Sequence, residues 1–310
     1  MCARLAPKAG LYGFALPAVL WVIVGVAAIS LAGTLAARES VATAQNRVDH
    51  LRAAWRAEGC LEIARATIAD GLADGDHGHT VWAGLDSVLA RSALLAGTGC
   101  AIVARAAGAM LDVNAANAEQ LQRLFLAAGA RPGEADSLTV ALLDWRDRDD
   151  EPRLAGAENS WYRARDELSP RDGPIADVAE LQRIRGMRDL PGVDTLLGVE
   201  PGRISLSRAP LGVIASLPGI GDEAIARLTE MRARGEPPRD LLAFAASLSR
   251  EARAEMLARY PELVALVTTE PDAWIITSSA KEGPRAVSAS IEVRLVRAGT
   301  RAAIVRRRTW

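Results

Sequence analysis

The stretch Phe14–Ala37, FALPAVLWVIVGVAAISLAGTLAA, decides the architecture. It holds 24 residues without one charge, and at about 1.5 Å of rise per residue it makes roughly 36 Å of helix. A hydrocarbon core of about 30 Å is crossed by that length with some tilt. Only Ser30, Thr34 and the glycines interrupt its apolar surface, so it lacks the polar stripe of a soluble helix. Arg4 and Lys8 precede it, while Arg38 and Glu39 follow as a balanced pair. The positive-inside bias therefore predicts a cytoplasmic N-terminus and a domain on the outer side. A secretory signal has the same basic start, but this apolar run is longer than an ordinary h-region.

Beyond the span the sequence continues in helical style. Val48, Leu51, Ala54, Trp55, Cys60, Leu61, Ala64 and Ile68 recur at roughly helical spacing through Ser40–Leu72. One long helix is expected, half in lipid and half packed on the domain through these residues. The turn-rich loop from Asp70 to His79 follows, and its two histidines lack a third ligand at useful spacing. Leu95–Leu111 predicts short strands broken by Gly97, Gly99 and Gly108.

From Leu111 the character becomes helical. Asn114 or Asn117 suits an N-cap, with Leu121, Leu124 and Phe125 as an apolar face. A second helix, SLTVALLDW, runs into the acidic loop Arg146–Pro152. Asp177 is placed to cap VAELQRIRG, with Glu180 completing a capping box, and Asp222 is placed to cap EAIARLTEMRAR after the turn Leu217–Gly221. Alternation then takes over in WIITSSA, AVSASIEVRLVRAG and TRAAIVRRRTW, which predicts a closing antiparallel sheet.

Composition narrows the function. A formal charge of −1 offers no electrostatic footprint for nucleic acid. The LPGIG turn at Leu217–Gly221 would suit a helix-hairpin-helix contact to phosphates, but on an outward-facing, uncharged domain a packing turn is the simpler reading. Three histidines, with no GxSxG, HExxH or P-loop spacing, give catalysis no support. Of Cys2, Cys60 and Cys100, the last two share the outer side, where a bridge or two separate thiols are both open. The carboxylates Asp144, Asp147, Asp149, Asp150, Glu151 and Glu158 suit either a hard cation or a solvated loop paired with Arg146, Arg148 and Arg153.

Three features together resemble the K-type minor pseudopilins of type II (general) secretion. They are Gly13–Phe14–Ala15–Leu16–Pro17, similar to a prepilin peptidase site; the blocks LLDWRDRDDEPRLAGAENSWY and LSPRDGPIADVAELQRIRGM; and the order of strand region, helical insert and closing sheet. The resemblance implies an α+β fold, with a pilin-like membrane-spanning helix packed on an antiparallel sheet and a large inserted helical domain. It implies a cleaved basic leader at 1–13 and a transmembrane helix at 14–37. The amphipathic helix and first strands fall at 38–110, the helical insert at 111–270 and the closing strands at 271–310. Processing at Gly13 and Phe14, calcium in the insert at Asp147, Asp149, Asp150 and Glu158, and no enzymatic activity follow from the same resemblance.

The implied partners are the I-type and J-type minor pseudopilins, the prepilin peptidase and the inner membrane, with the main domain periplasmic and no nucleic acid. Gly25 and Gly33 would let neighbouring helices approach closely. At the fifth position after the implied cleavage, where the family's fibre subunits carry a glutamate, this chain has Ala18. A subunit with no neighbour above it needs no such carboxylate, which implies a place at the fibre tip. A periplasmic DNA-binding component of an uptake apparatus is the rival reading, and a membrane-tethered hydrolase would need a nucleophile and base that the sequence does not present.

Overall fold

The expected long helix is present: α1 runs Ala15–Ala73 without a break. The computed structural model describes residues 15–73 and 77–310. Two short helices follow, α2 (Gly78–Ala83) and α3 (Leu85–Ala90), and the last two residues of the loop expected at Asp70–His79 open α2. Trp82, Leu85 and Leu89 are buried at helical spacing, and their pattern outweighs the turn signal of Gly78 and Gly84. His79 lies on α2, where its Nδ1 is 3.3 Å from Glu270 Oε1.

Next come β1 (Cys100–Ala106) and β2 (Leu111–Asp112), then α4 (Ala118–Ala127), α5 (Pro132–Arg146) and α6 (Asn159–Arg163). Asn117 caps α4 in a reciprocal box with Gln120. Three 3-10 turns, Val178–Arg183, Met187–Asp189 and Val193–Thr195, lead to β3 (Leu197–Gly198) and β4 (Ile204–Ser205). VAELQR is thus a 3-10 turn rather than an α-helix. Asp177 caps it by accepting from Ala179 N–H, but Glu180 accepts from Ala176 N–H and so closes no box.

The helices α7 (Leu211–Ala215), α8 (Asp222–Ala233), α9 (Leu241–Ala246), α10 (Arg250–Ala258) and α11 (Tyr260–Leu266) complete the helical region. Gly221 holds the cap position of α8, and Asp222 is its first helical residue. The chain ends in β5 (Val267–Thr268), β6 (Ala273–Glu282), β7 (Val287–Ala298) and β8 (Arg301–Thr309).

The main sheet is antiparallel in the order β1-β6-β7-β8. Its inner face packs on the outer half of α1, where Ala57, Leu61, Ala64, Ile68 and Leu72 meet Trp274, Ile276, Ile291, Val293 and Leu295 in one apolar cluster. A second cluster, from Leu111 to Val267, fills the space among α4, α5 and the later helices. Cys60 and Cys100 form a disulfide that ties α1 to the start of β1.

The expectation for α1 fails in its first half only. Val48, Leu51 and Trp55 do not pack on the domain; they are 42%, 59% and 75% exposed. Asp49, Ala53 and Ala57 hold the buried face there, while Cys60, Leu61, Ala64 and Ile68 of the expected set are buried as read. Over residues 49–57 the small Ala53 and Ala57 face the domain, and the larger Leu51 and Trp55 are left on the opposite side.

Candidate functional site

The acidic loop is organised by the end of α5. Asp144 stands in its last turn, fully buried, and Asp147 takes the C-cap position. Glu158, also buried, precedes α6 at its N-cap. These three carboxylates lie close enough for one oxygen of each to fall within 4.8 Å of the others. Asp144 Oδ2 accepts from Ala157 N–H at 2.9 Å and from Arg153 N–H at 3.3 Å, so the returning loop is fastened to α5. Gly156 permits that closeness, since a Cβ there would overlap the Asp144 carboxylate.

Arg153 is the cation inside this group. Its Nη1 lies 2.6 Å from Asp144 Oδ1 and also donates to Asp147, and these bonds raise its own pKa. Arg146, a partner expected for the acidic loop, instead donates to the carbonyls of Val113 and Ala116. Glu158 has no comparable support. Neither of its carboxylate oxygens has a partner. Burial, followed by repulsion from Asp144, Asp147 and Asp172, pushes its pKa up to about 7. Asp147 Oδ1 and Asp172 Oδ1 are also buried without a partner.

An all-oxygen donor set with several orphaned oxygens fits a hard divalent cation such as calcium. Asp144, Asp147 and Glu158 would hold it, and the ion would supply the positive charge that Glu158 lacks. Asp149 and Asp150 lie exposed outside this group, Asp149 accepting from Glu151 N–H in its own loop. Asp144 is the member that a search for clustered loop carboxylates underweights, because it belongs to α5.

Behind the group, Tyr162 stacks edge-on against Trp145 at 5.2 Å between centroids. Its hydroxyl accepts from Arg185 N–H at 3.1 Å, and burial pushes its pKa up to about 12. Arg185 also donates to the carbonyls of Ala155 and Gly156, which braces the far end of the loop. At the LPGIG turn, Gly219 packs on the backbone of Glu255 and Met256, and the Glu255 carboxylate stands beside Gly221. With Asp222 and Glu223 opening α8, the hairpin presents carboxylates near the place where a phosphate would approach.

The remaining candidates lie along α1. Ala18, Gly25 and Gly33 are exposed, and at Gly25 and Gly33 nothing stands within 4 Å of an added Cβ. Gly13 and Phe14 lie outside the described residues.

Residues 98–190 match the family model of the type II secretion system (T2SS), protein K, first domain. That segment contains β1 and the whole acidic group. The K-type resemblance holds. Type II secretion system protein K of Dickeya chrysanthemi is 36% identical over 70 residues, which are 23% of this chain and 19% of that protein. The matched segment thus spans about a fifth of the curated relative. Among solved structures, the crystal structure of the GspK-GspI-GspJ complex from the enterotoxigenic Escherichia coli type 2 secretion system is similar at TM-score 0.60 and 16% identity, covering 86% of this chain and 98% of the matched one. The fold is the pilin-like α+β arrangement of a long apolar N-terminal helix, an antiparallel sheet and additional helices.

Proposed function

We infer that this chain is a minor pseudopilin at the tip of a type II secretion pseudopilus, where it initiates assembly with I-type and J-type minor pseudopilins. The observation that carries this reading is the exposed row Val48, Leu51 and Trp55 on α1, opposite the face that holds the sheet. Their 3- and 4-residue spacing makes one stripe, the pattern of a helix that packs on another helix. The stripe continues from an exposed apolar segment long enough to span a membrane. A chain with its sheet on one side of α1 and an apolar stripe on the other is suited to lateral assembly through its helix. The solved relative belongs to a complex named for three such components.

On this reading the chain is held in the inner membrane by one span with its domain in the periplasm, and it is a structural component rather than an enzyme. Prepilin peptidase removes residues 1–13 and Phe14 becomes the methylated N-terminus. Calcium bound by Asp144, Asp147 and Glu158 stiffens the helical insert. Ala18 supports the tip position, since a carboxylate in lipid is costly without a partner.

Photo-crosslinkers at Leu51 and Trp55, in cells that express the I- and J-type proteins, test the assignment. Heteromeric products without a ladder of self-crosslinked chains are expected, and Ala18→Glu is expected to bring no gain in assembly. A homopolymer ladder, or fibres built from this chain alone, would make it a body subunit.

A further inference from the structure

The turn between β6 and β7 reaches along α1 toward the end nearest the span. Gly283 adopts a φ of 72° there, and its backbone presses on the Asp49 carboxylate so closely that a Cβ would overlap it. Asp49 is 2% exposed and accepts from Gln45 Nε2 at 2.9 Å. Arg56 pairs with Glu282 at 2.6 Å, and Arg285 Nη1 donates to Asn46 Oδ1 at 3.4 Å. Fastened at these points, the turn stands at a set height above the lipid boundary.

An open cavity of about 460 Å³ lies beneath it, lined by Ala37, Arg38, Val41, Ala42, Pro284 and Arg285 among others. Its walls are mainly aliphatic, its cations are Arg38 and Arg285, and its one carboxylate, Asp49, is buried beneath the turn with Gln45 as a donor. Both arginines are exposed, and neither has an acidic partner among the described residues. Arg38 is the first charged residue after the span. Asn46, which holds Arg285, stands nine residues above Ala37, about 14 Å along the helix axis. Headgroups occupy the first 5–7 Å or so beyond the hydrocarbon, and their field extends roughly a further 8 Å at physiological salt. Arg38 therefore stands at headgroup height, and Arg285, held above it, lies within the reach of the surface field.

We propose that this cavity seats the headgroup of an anionic phospholipid, its phosphate beside Arg38 and beneath Arg285 and its glycerol side against Val41 and Ala42. The lipid holds the domain upright on the membrane before assembly. This inference rests on the membrane reading above and extends it to a lipid class.

Native mass spectrometry of the full chain in detergent, titrated with phosphatidylglycerol and with phosphatidylcholine of the same acyl length, tests it. Phosphatidylglycerol should be retained more tightly, and Arg38→Gln and Arg285→Gln should each weaken that retention roughly fivefold, about 1 kcal/mol per basic group. Arg91→Gln, exposed on the far side of the fold from the span, should change nothing. Equal retention of the two lipids, or variants that behave as the wild type, would overturn the proposal. So would competition by millimolar inorganic phosphate, which would assign the cavity to the free anion. Resistance to carbonate extraction from vesicles separates the two layers of inference. A chain that is extracted loses both the span and the lipid site, whereas one that stays inserted without preferring phosphatidylglycerol loses the site alone.

Discussion

Glu158 is the residue whose chemistry can be read most directly. Its folded pKa lies near 7, above the ordinary carboxylate range, because the charged form is desolvated and repelled by three neighbouring carboxylates. Between about pH 4.5 and 7 the folded chain then binds more protons at this site than the unfolded chain does. Without a divalent ion, this group's contribution to stability therefore falls as pH rises through that window and is recovered as pH falls. Calcium requires the ionised carboxylate, so the rise in melting temperature on adding calcium should be largest near pH 8 and shrink toward pH 6. Glu158→Gln should flatten both dependences. Differential scanning fluorimetry across pH, with calcium or chelator, checks them, and a calcium effect that grows on acidification would contradict the assignment. Gly156→Ala should lower stability by displacing the Asp144 carboxylate from the Ala157 and Arg153 amides, a loss of about 1–3 kcal/mol for a buried charged acceptor, measured by urea denaturation.

At the scale of elements, the disulfide gives a quantitative expectation. Cys60 and Cys100 are 40 residues apart and join α1 to β1. Closing a loop of that length removes unfolded-state entropy worth about 4 kcal/mol in the chain-entropy model. Cys60→Ser with Cys100→Ser should consequently lower the unfolding free energy by about 2–4 kcal/mol in denaturant titration, and no loss would mean that the bridge does not form in the folded chain.

The elements also show what could be read in advance. Continuous helicity, the Asn117 cap and the strand alternation are local patterns, and each stands where those patterns put it. Which face of α1 meets the sheet is not a local property. Trp55 and Leu51 look like core residues by hydrophobicity, yet the side bearing Ala53 and Ala57 faces the domain. The cluster of Asp144, Asp147 and Glu158 is a tertiary feature for the same reason. All three stand in the acidic block Asp144–Glu158, but only the return of the loop onto the end of α5 separates them from Asp149 and Asp150, which stay exposed. The loop expected through His79 gives way to α2 at Gly78, whose glycine opens a helix rather than a turn.

Across the whole molecule, two apolar clusters must act as one body, and Glu200 stands where they are joined. It lies between the helical region and β7–β8, with Arg294 at 3.5 Å and Arg306 in hydrogen-bond contact. Arg294 also donates to the carbonyl of Pro201 at 2.7 Å. All three side chains are largely withdrawn from water, with exposures of 14%, 15% and 30% for Glu200, Arg294 and Arg306. A single partner removed from such a group leaves charge poorly compensated, at a cost of about 1–3 kcal/mol. Two further links cross the same boundary: Arg203 pairs with Asp272 at 2.6 Å, and Arg208 with Asp86 at 2.8 Å. Both are more exposed on average than the Glu200 group and more weakly stabilising, so Glu200→Gln should loosen the joint without unfolding either cluster. Hydrogen exchange of the full chain reads this out segment by segment. In the wild type, peptides from α5 and β7 should open with the same free energy, because the clusters unfold together. In Glu200→Gln the β7 peptides should retain their protection while those of α5 exchange faster. Addition of calcium should then restore α5 alone. Uniform loss of protection across both clusters would show that the joint is spread over the whole boundary rather than concentrated at Glu200.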